Sequence, residues 1–421
     1  MICKSVEEFL KKYAEGCYVS DLEFLDENMY KELFKYCIAL NTDESLLLAG
    51  RLYNQGIGVE KDLVESFKIY EKLANKGIAQ AQYNLAIAYD NGEGVEADLS
   101  KAFNWYSKSA QQGYKDAQFN LGGMYYDGLG VEQDFEKALY WYLKAAEQGD
   151  MDAQYNVAFQ YSRGLGTKQD YEQAFKWHML AAKQGQVTSQ NTVARMYYDG
   201  SGVEQSFEQA LYWFEKAAKQ ESAEAQFNLA LMYKEGKGID IDYTKALYWF
   251  NESANKGVKE AIINLALMYS NGEGTPVSLE KAFYWFNKGA IQGDKVSQYN
   301  CGLIYYNGLG VEKDYEKALY WFEKAARQGH IDSQLNAALM YKNGEGTEKD
   351  NEKSFYWYNI AGENDNAFAM YMVSKAYREG LGVEKDLYKA LHLALCSVGR
   401  GYLKATKLFY EIQEEIKNNK K

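Results

Sequence analysis

GLGVEKDYEKALYWFEKAA, residues 308–326, sets a Gly-x-Gly loop ahead of a helical pattern and an aromatic run around Trp321. Such a loop could cradle a phosphate, or it could be a turn in a packing unit. The tryptophan decides. All eight tryptophans fall on one ladder, Trp105, Trp141, Trp177, Trp213, Trp249, Trp285, Trp321 and Trp357, each 36 residues after the last. The same period carries ten units from Ser45 to Lys404 without insertion or deletion. Internal repetition of this length is the signature of a solenoid. In the first and last units Ile69 and Leu393 take the tryptophan position, as expected of end repeats that lack a neighbour on one side.

Each unit reads as two helices. In the second unit Ala81, Leu85, Ala88 and Tyr89 follow the i, i+4, i+7, i+8 spacing of one buried face. After the turn, Ala102, Phe103, Tyr106 and Ala110 form a similar face. Residues 1–44 read as an N-terminal helical cap, with helical patterns at about 5–14 and 21–40. Residues 45–404 hold the ten repeats. Residues 405–421 read as a C-terminal capping helix and tail, the helix resembling a lone first helix over about 403–417.

Both loop glycines occur in all ten units, from Gly56 and Gly58 to Gly380 and Gly382. The first suits the left-handed residue past a helix end, and the second is expected to keep the turn between antiparallel helices tight. Four residues on stands Asp314, whose equivalents are Asp except for Ser206 and Ser278. Asp and Ser share the ability to accept from the first free N–H groups of a helix, which identifies an N-cap. An acidic cap occupies the place a phosphate would need and repels it, and no Walker lysine follows. The loop is a turn.

Composition removes several function classes. One proline, 15% aromatic residues and no serine- or proline-rich linker argue for a continuous helical body. A net charge of −12 opposes nucleic acid as partner, because counterion release needs a basic face. No apolar run approaches the roughly 20 residues of a membrane span, so no membrane insertion is expected. The first twenty residues carry charges throughout and lack the apolar core of a signal peptide, which gives the expectation of a cytoplasmic protein. Cys3, Cys17, Cys37, Cys301 and Cys396 show no paired spacing, so neither a disulfide framework nor a zinc site is expected.

The stretches AQYNLAIAYDNGEGVEADLSKAFNWYSKSAQQG (81–113) and AQFNLGGMYYDGLGVEQDFEKALYWYLKAAEQG (117–149) closely resemble Sel-one-like repeats, the 36-residue relatives of tetratricopeptide repeats. The A-x-x-x-L-[GA]-x-x-Y, G-x-G-V, A-x-x-W-[YF] and A-A-x-x-G elements carry the resemblance, which covers about 85% of the chain. It implies an all-α fold: a right-handed α/α superhelical solenoid of ten 36-residue helix-turn-helix repeats with helical caps. It further implies that the first helices line a concave surface, and that the protein is a scaffold or adaptor for other proteins. Some secreted members carry two cysteines per repeat, and this chain lacks them.

A partner is therefore sought on the first helices, on the side turned from Ala81, Leu85 and Ala88. One row reads Tyr83, Phe119, Tyr155, Asn191, Phe227, Ile263, Tyr299 and Leu335; another reads Ile87, Gly123, Phe159, Arg195, Leu231, Leu267, Leu303 and Leu339. These apolar rows either pack between adjacent first helices or floor a groove. Between them runs Asn84, Asn120, Asn156, Thr192, Asn228, Asn264, Asn300 and Asn336. Asparagine is a mediocre helix former, so its recurrence implies a hydrogen-bonding job. It either satisfies loop carbonyls of the neighbouring repeat or grips the peptide units of an extended ligand. Asp116, Asp152, Glu224, Glu260 and Asp332 edge the same face, which would favour a basic partner with hydrophobic anchors. Asn191, Thr192 and Arg195 interrupt the rows in the fifth unit.

The catalytic inventory is thin. His178, His330 and His392 occupy different repeat positions, and no H-E-x-x-H, G-x-S-x-G or metal-spaced cysteine set occurs. The expectation is a non-enzymatic protein without cofactor or metal that binds a protein or extended peptide on the concave face. The alternatives are an interaction protein exported without a cleavable signal, a self-associating structural protein, and a hydrolase with an unrecognised carboxylate pair.

Overall fold

The computed structural model describes residues 26–419, and among them are 22 α-helices and no strand. A helix at Glu27–Leu40 precedes ten helix pairs, from Asp43–Gln55 with Leu63–Asn75 to Ala367–Glu379 with Leu387–Gly399, and Ala405–Asn418 comes last. The fold is an all-α solenoid. The helix expected at about 5–14, with Cys3 and Cys17, lies outside the described residues. The chain divides into two compact bodies, Met1–Trp213 and Phe214–Lys421, with the boundary inside the second helix of the fifth repeat, Phe207–Lys219.

The second repeat, in the first body, shows why these residues form these elements. Its first helix, Ala79–Asn91, stops at Gly92, whose φ of +73° is left-handed and whose N–H donates to the Ala88 carbonyl. The chain turns back, and the Asp98 N–H donates to the Tyr89 carbonyl at 2.8 Å. Asp98 then caps the second helix, its carboxylate accepting from the Lys101 N–H at 2.9 Å. In the second body, Asp314 and Ser278 cap their helices in the same way, at 2.9 and 3.4 Å. Backbone donation, with Lys317 alongside, holds the Asp314 carboxyl below its ordinary range.

The second loop glycine does more than tighten a turn. A Cβ on Gly94 would overlap the Leu63 carbonyl of the preceding repeat, and one on Gly346 would overlap that of Tyr315. Glycine is required because two repeats meet there backbone to backbone.

Burial follows the helical spacing. Ala81, Leu85, Ala88 and Tyr89 are buried, as are Ala102, Tyr106 and Ala110, while Phe103 is half-buried. Leu85 and Leu121 are enclosed completely, each worth about 2 kcal/mol of apolar transfer. Trp141 packs on the first-body core, Trp357 belongs to a core cluster of the second body, and Trp213 is buried. Ile69 and Leu393 also lean on core clusters.

The array is closed by polar contacts as well as apolar ones. Arg378 of the tenth repeat donates to Glu411 and Glu415 of the last helix at 2.6 and 3.0 Å, and Lys385 reaches Glu415 at 2.9 Å. Leu408 and Ile412 are buried beneath them.

Candidate functional site: the first-helix face

From the second repeat on, the first helices carry one exposed or half-buried stripe at the spacing i, i+4, i+7, i+11, the spacing of a single helical side, whereas in the first repeat the equivalent Leu48 is buried. In the first body it reads Gln80, Asn84, Ile87, Asn91 in the second repeat and Asp152, Asn156, Phe159, Arg163 in the fourth. In the second body it reads Glu224, Asn228, Leu231, Glu235 and then Glu260, Asn264, Leu267, Asn271. The eighth repeat gives Val296, Asn300, Leu303, Asn307 and the ninth Asp332, Asn336, Leu339, Asn343. Leu267 and Leu339 are exposed, Leu231 and Leu303 are half-buried, and so are Asn84, Asn156, Asn228, Asn264, Asn300 and Asn336.

The row before the asparagines is a floor anchored from behind. Tyr83 lies 5.9 Å from the ring of Tyr106, Phe119 5.7 Å from Tyr142, and Tyr155 5.8 Å from His178. In the second body, Phe227 meets Phe250 and Tyr299 meets Phe322, each at 5.9 Å. These are contacts between the two helices of one repeat. Tyr299 also lies 4.6 Å from His330. Phe159 stacks at 6.5 Å on Tyr155 and lies under the Arg163 guanidinium at 5.8 Å, while Arg195 is exposed.

Asparagine contacts are local. Asn264 donates to the Glu260 carbonyl at 2.9 Å and accepts from Lys234 of the preceding repeat at 3.2 Å. Asn300 donates to the Val296 carbonyl at 2.8 Å, and Thr192 donates to that of Thr188. Asn120 bonds the phenol of Tyr106, whose pKa is pushed up by burial and then by the charge of Asp90. These partners are a carbonyl one turn back and side chains of the neighbouring repeat, rather than loop carbonyls. A carboxamide carries two N–H donors, and a back-bond engages one of them.

A second ladder escaped the sequence reading. Gln82, Gln118 and Gln154 are buried and donate to the Ala74, Ala110 and Ala146 carbonyls at the end of the preceding helix, at 3.3, 3.1 and 3.2 Å. Each accepts in turn from a glutamine 30 residues on: Gln112, Gln148 and Gln184, at 2.7–2.8 Å. Two Gln columns at the repeat period were the available signal. They clamp one repeat to the next and face away from the exposed stripe.

The three histidines have separate settings, and His392 is exposed. His178 is buried with Nδ1 3.1 Å from Ser189 Oγ, and desolvation lowers its pKa to about 4. His330 accepts from the Ser333 N–H as an N-cap. Among the described residues no group of three or more His, Cys, Asp or Glu could hold a metal ion, and no helix is long and apolar enough to cross a membrane.

Helix pairs stacked at a fixed period define an α-helical repeat protein of the solenoid class. The chain belongs to the Sel1 repeat family: the Sel1 repeat model matches at 44–78, 79–114, 115–150, 152–186, 188–222, 223–258, 259–294, 295–330, 331–366 and 367–402. No curated protein matches the chain. Among solved structures it is similar to c5321, a protective antigen of uropathogenic Escherichia coli strains with an SLR fold. The identity is 32%, covering 97% of this chain and 90% of that one, with a TM-score of 0.78. It is also similar to a Sel1 repeat protein from Oxalobacter formigenes, at 33% identity over 72% of this chain and 87% of that one, TM-score 0.56. Repeats of this fold typically serve as protein-interaction scaffolds.

Proposed function

We propose that the chain is a non-catalytic scaffold that binds a protein segment in extended form along its first-helix face. The recurring stripe of acid, asparagine and leucine supports this reading: its asparagines keep donors beyond the local bonds, and its leucines are exposed at Leu267 and Leu339 and half-buried at Leu231 and Leu303. In the second body the asparagines Asn228, Asn264, Asn300 and Asn336 hold the ligand backbone, and Leu231, Leu267, Leu303 and Leu339 receive its apolar side chains. Glu224, Glu260 and Asp332 favour Lys or Arg beside those anchors. In the first body Tyr83, Asn84, Phe119, Asn120, Tyr155, Asn156, Phe159 and Arg195 do the corresponding work, with Arg195 as a local change of sign.

The test is selection of immobilised random peptides by the full chain. Enrichment of sequences that pair Lys or Arg with Leu or Phe is expected. Selection of acidic sequences, or of none, contradicts the proposed groove.

A second reading, interaction outside the cell, has one observation in its favour: the E. coli relative is a protective antigen. Fractionation of the source cells tests it, and a protein confined to the cytosol excludes it.

A further inference from the structure

In a repeat protein a private site shows itself as departures from the repeat that meet at one place. The tenth repeat has such a set. His392 holds a position that carries Lys, Asn or Tyr in the other nine repeats, and Cys396 one that carries Lys in six of them. Met370 replaces a glutamine found in seven repeats, and Gly362, from the second helix of the ninth, replaces an alanine found in eight. All four line one cleft of about 270 Å³. A terminal repeat is expected to differ on its open end. These residues instead share their cleft with the ninth repeat, whose Asn359 and Glu363 also line it.

His392 and Cys396 stand one turn apart on the helix Leu387–Gly399, with His392 Nε2 3.6 Å from Cys396 Sγ. An ion bound to both, at about 2.3 Å from sulfur and about 2.0 Å from nitrogen, would see them at an angle of about 115°, close to trigonal. The buried Met370 brings a thioether to the same cleft. Thiolate, imidazole and thioether make a soft donor set, which suits Cu(I). Among the described residues no third His, Cys, Asp or Glu joins the pair as a ligand, so a four-coordinate ion such as zinc lacks donors. The two carboxylates on the lining are engaged: Asp365 accepts from Arg400 Nε at 2.8 Å, and Glu363 from Asn359 at 2.8 Å. With Arg400 they leave one negative charge in excess, which favours a cation.

We propose that Cys396, His392 and Met370 bind one Cu(I) ion, with Cys396 as the thiolate. Binding releases the thiol proton to solvent and leaves the oxidation state of the metal unchanged, so no further reactant enters. The site uses no residue of the first-helix stripe. Its failure therefore leaves the peptide-binding reading untouched.

The test is anaerobic titration of Cu(I) into the full chain in competition with the chelator bicinchoninate. A Cys3→Ser/Cys17→Ser background removes the thiols outside the described residues. One equivalent is expected to leave the chelator. Cys396→Ser is expected to abolish the uptake, and His392→Gln and Met370→Leu each to weaken it at least about tenfold. His392 is exposed, and Met370→Leu borrows the occupant at Leu46 and nearly conserves volume, so both variants are expected to fold. Circular dichroism verifies this, and the His392 arm decides alone if Met370→Leu unfolds. Bound Cu(I) should also shield Cys396 from alkylation, while an equal concentration of Zn²⁺ does not. No withdrawal of Cu(I), an affinity left unchanged by either folded variant, or equal shielding by Zn²⁺ overturns the proposal.

Discussion

Gly257 and Gly274 both hold positive φ, +91° and +71°, but only one of them is crowded. A Cβ on Gly257 would meet nothing within 4 Å, whereas one on Gly274 would overlap the Tyr243 carbonyl of the preceding repeat. At the uncrowded position two repeats carry Glu221 and Asp365 instead; at the crowded one all ten carry glycine. Gly257→Ala is therefore expected to cost about 1 kcal/mol of left-handed strain, and Gly274→Ala at least about 3. Thermal melts of the two variants compare them, and equal losses would contradict the backbone contact. Sequence alone could show that both glycines recur, but not that the second meets the preceding repeat, since the approach joins residues about thirty apart.

His178 makes a second residue-scale prediction. Its folded pKa of about 4 lies below the ordinary 6.5, so folding favours the neutral ring. Stability from this site is complete above pH 6.5 and falls as pH drops towards 4, by about 3 kcal/mol in all. His178→Phe, the occupant at Phe250 and Phe322, should reduce acid sensitivity in that window; an unchanged pH–melting profile would contradict it. The thiols offer a cheaper check. Burial pushes Cys37 and Cys301 up to about 12, while Cys396 is half-exposed. An alkylating reagent should label Cys396 in the native protein and spare the other two until unfolding.

At the scale of the element, the glutamine clamp explains how neighbouring repeats are joined and where the joint is imperfect. In the eighth repeat Gln298 donates to the Ala290 carbonyl and accepts from Gln328 at 2.8 Å. In the ninth, Gln334 makes the same donation, but Asn364 stands where Gln328 would and bonds the Ile360 carbonyl instead. The buried Gln334 Oε1 is left without a partner. Asn364→Gln should supply it and raise stability by about 1 kcal/mol. No gain in the melting temperature would mean that the clamp contributes nothing there. The helix pairs, the N-caps and the left-handed stops were legible because each follows from spacing or from a residue with one conformational talent. The clamp was not, because a buried glutamine in a polar-looking Ala-Gln pair has the pattern of an exposed one. The asparagine row was legible as a row, yet its bonds to Glu260 and Val296 carbonyls required coordinates.

On the scale of the whole molecule, repetition makes ten copies of one local solution available for comparison. Where a column is uniform, as at the crowded glycine, the fold demands the residue. The same logic separates the buried leucines at 85 and 121 from the exposed ones at 267 and 339. The former hold helices together, and the latter face the solvent beside carboxamides that retain donors. The central claim is that this exposed stripe, rather than any catalytic group, carries the function. Its most direct test is calorimetric titration of the best selected basic peptide into wild type and into Asn228→Ala/Asn264→Ala/Asn336→Ala, with circular dichroism to verify folding. The account predicts at least about tenfold weaker binding by a variant that remains folded, equivalent to about 1.4 kcal/mol. Equal affinity in the two proteins would contradict it.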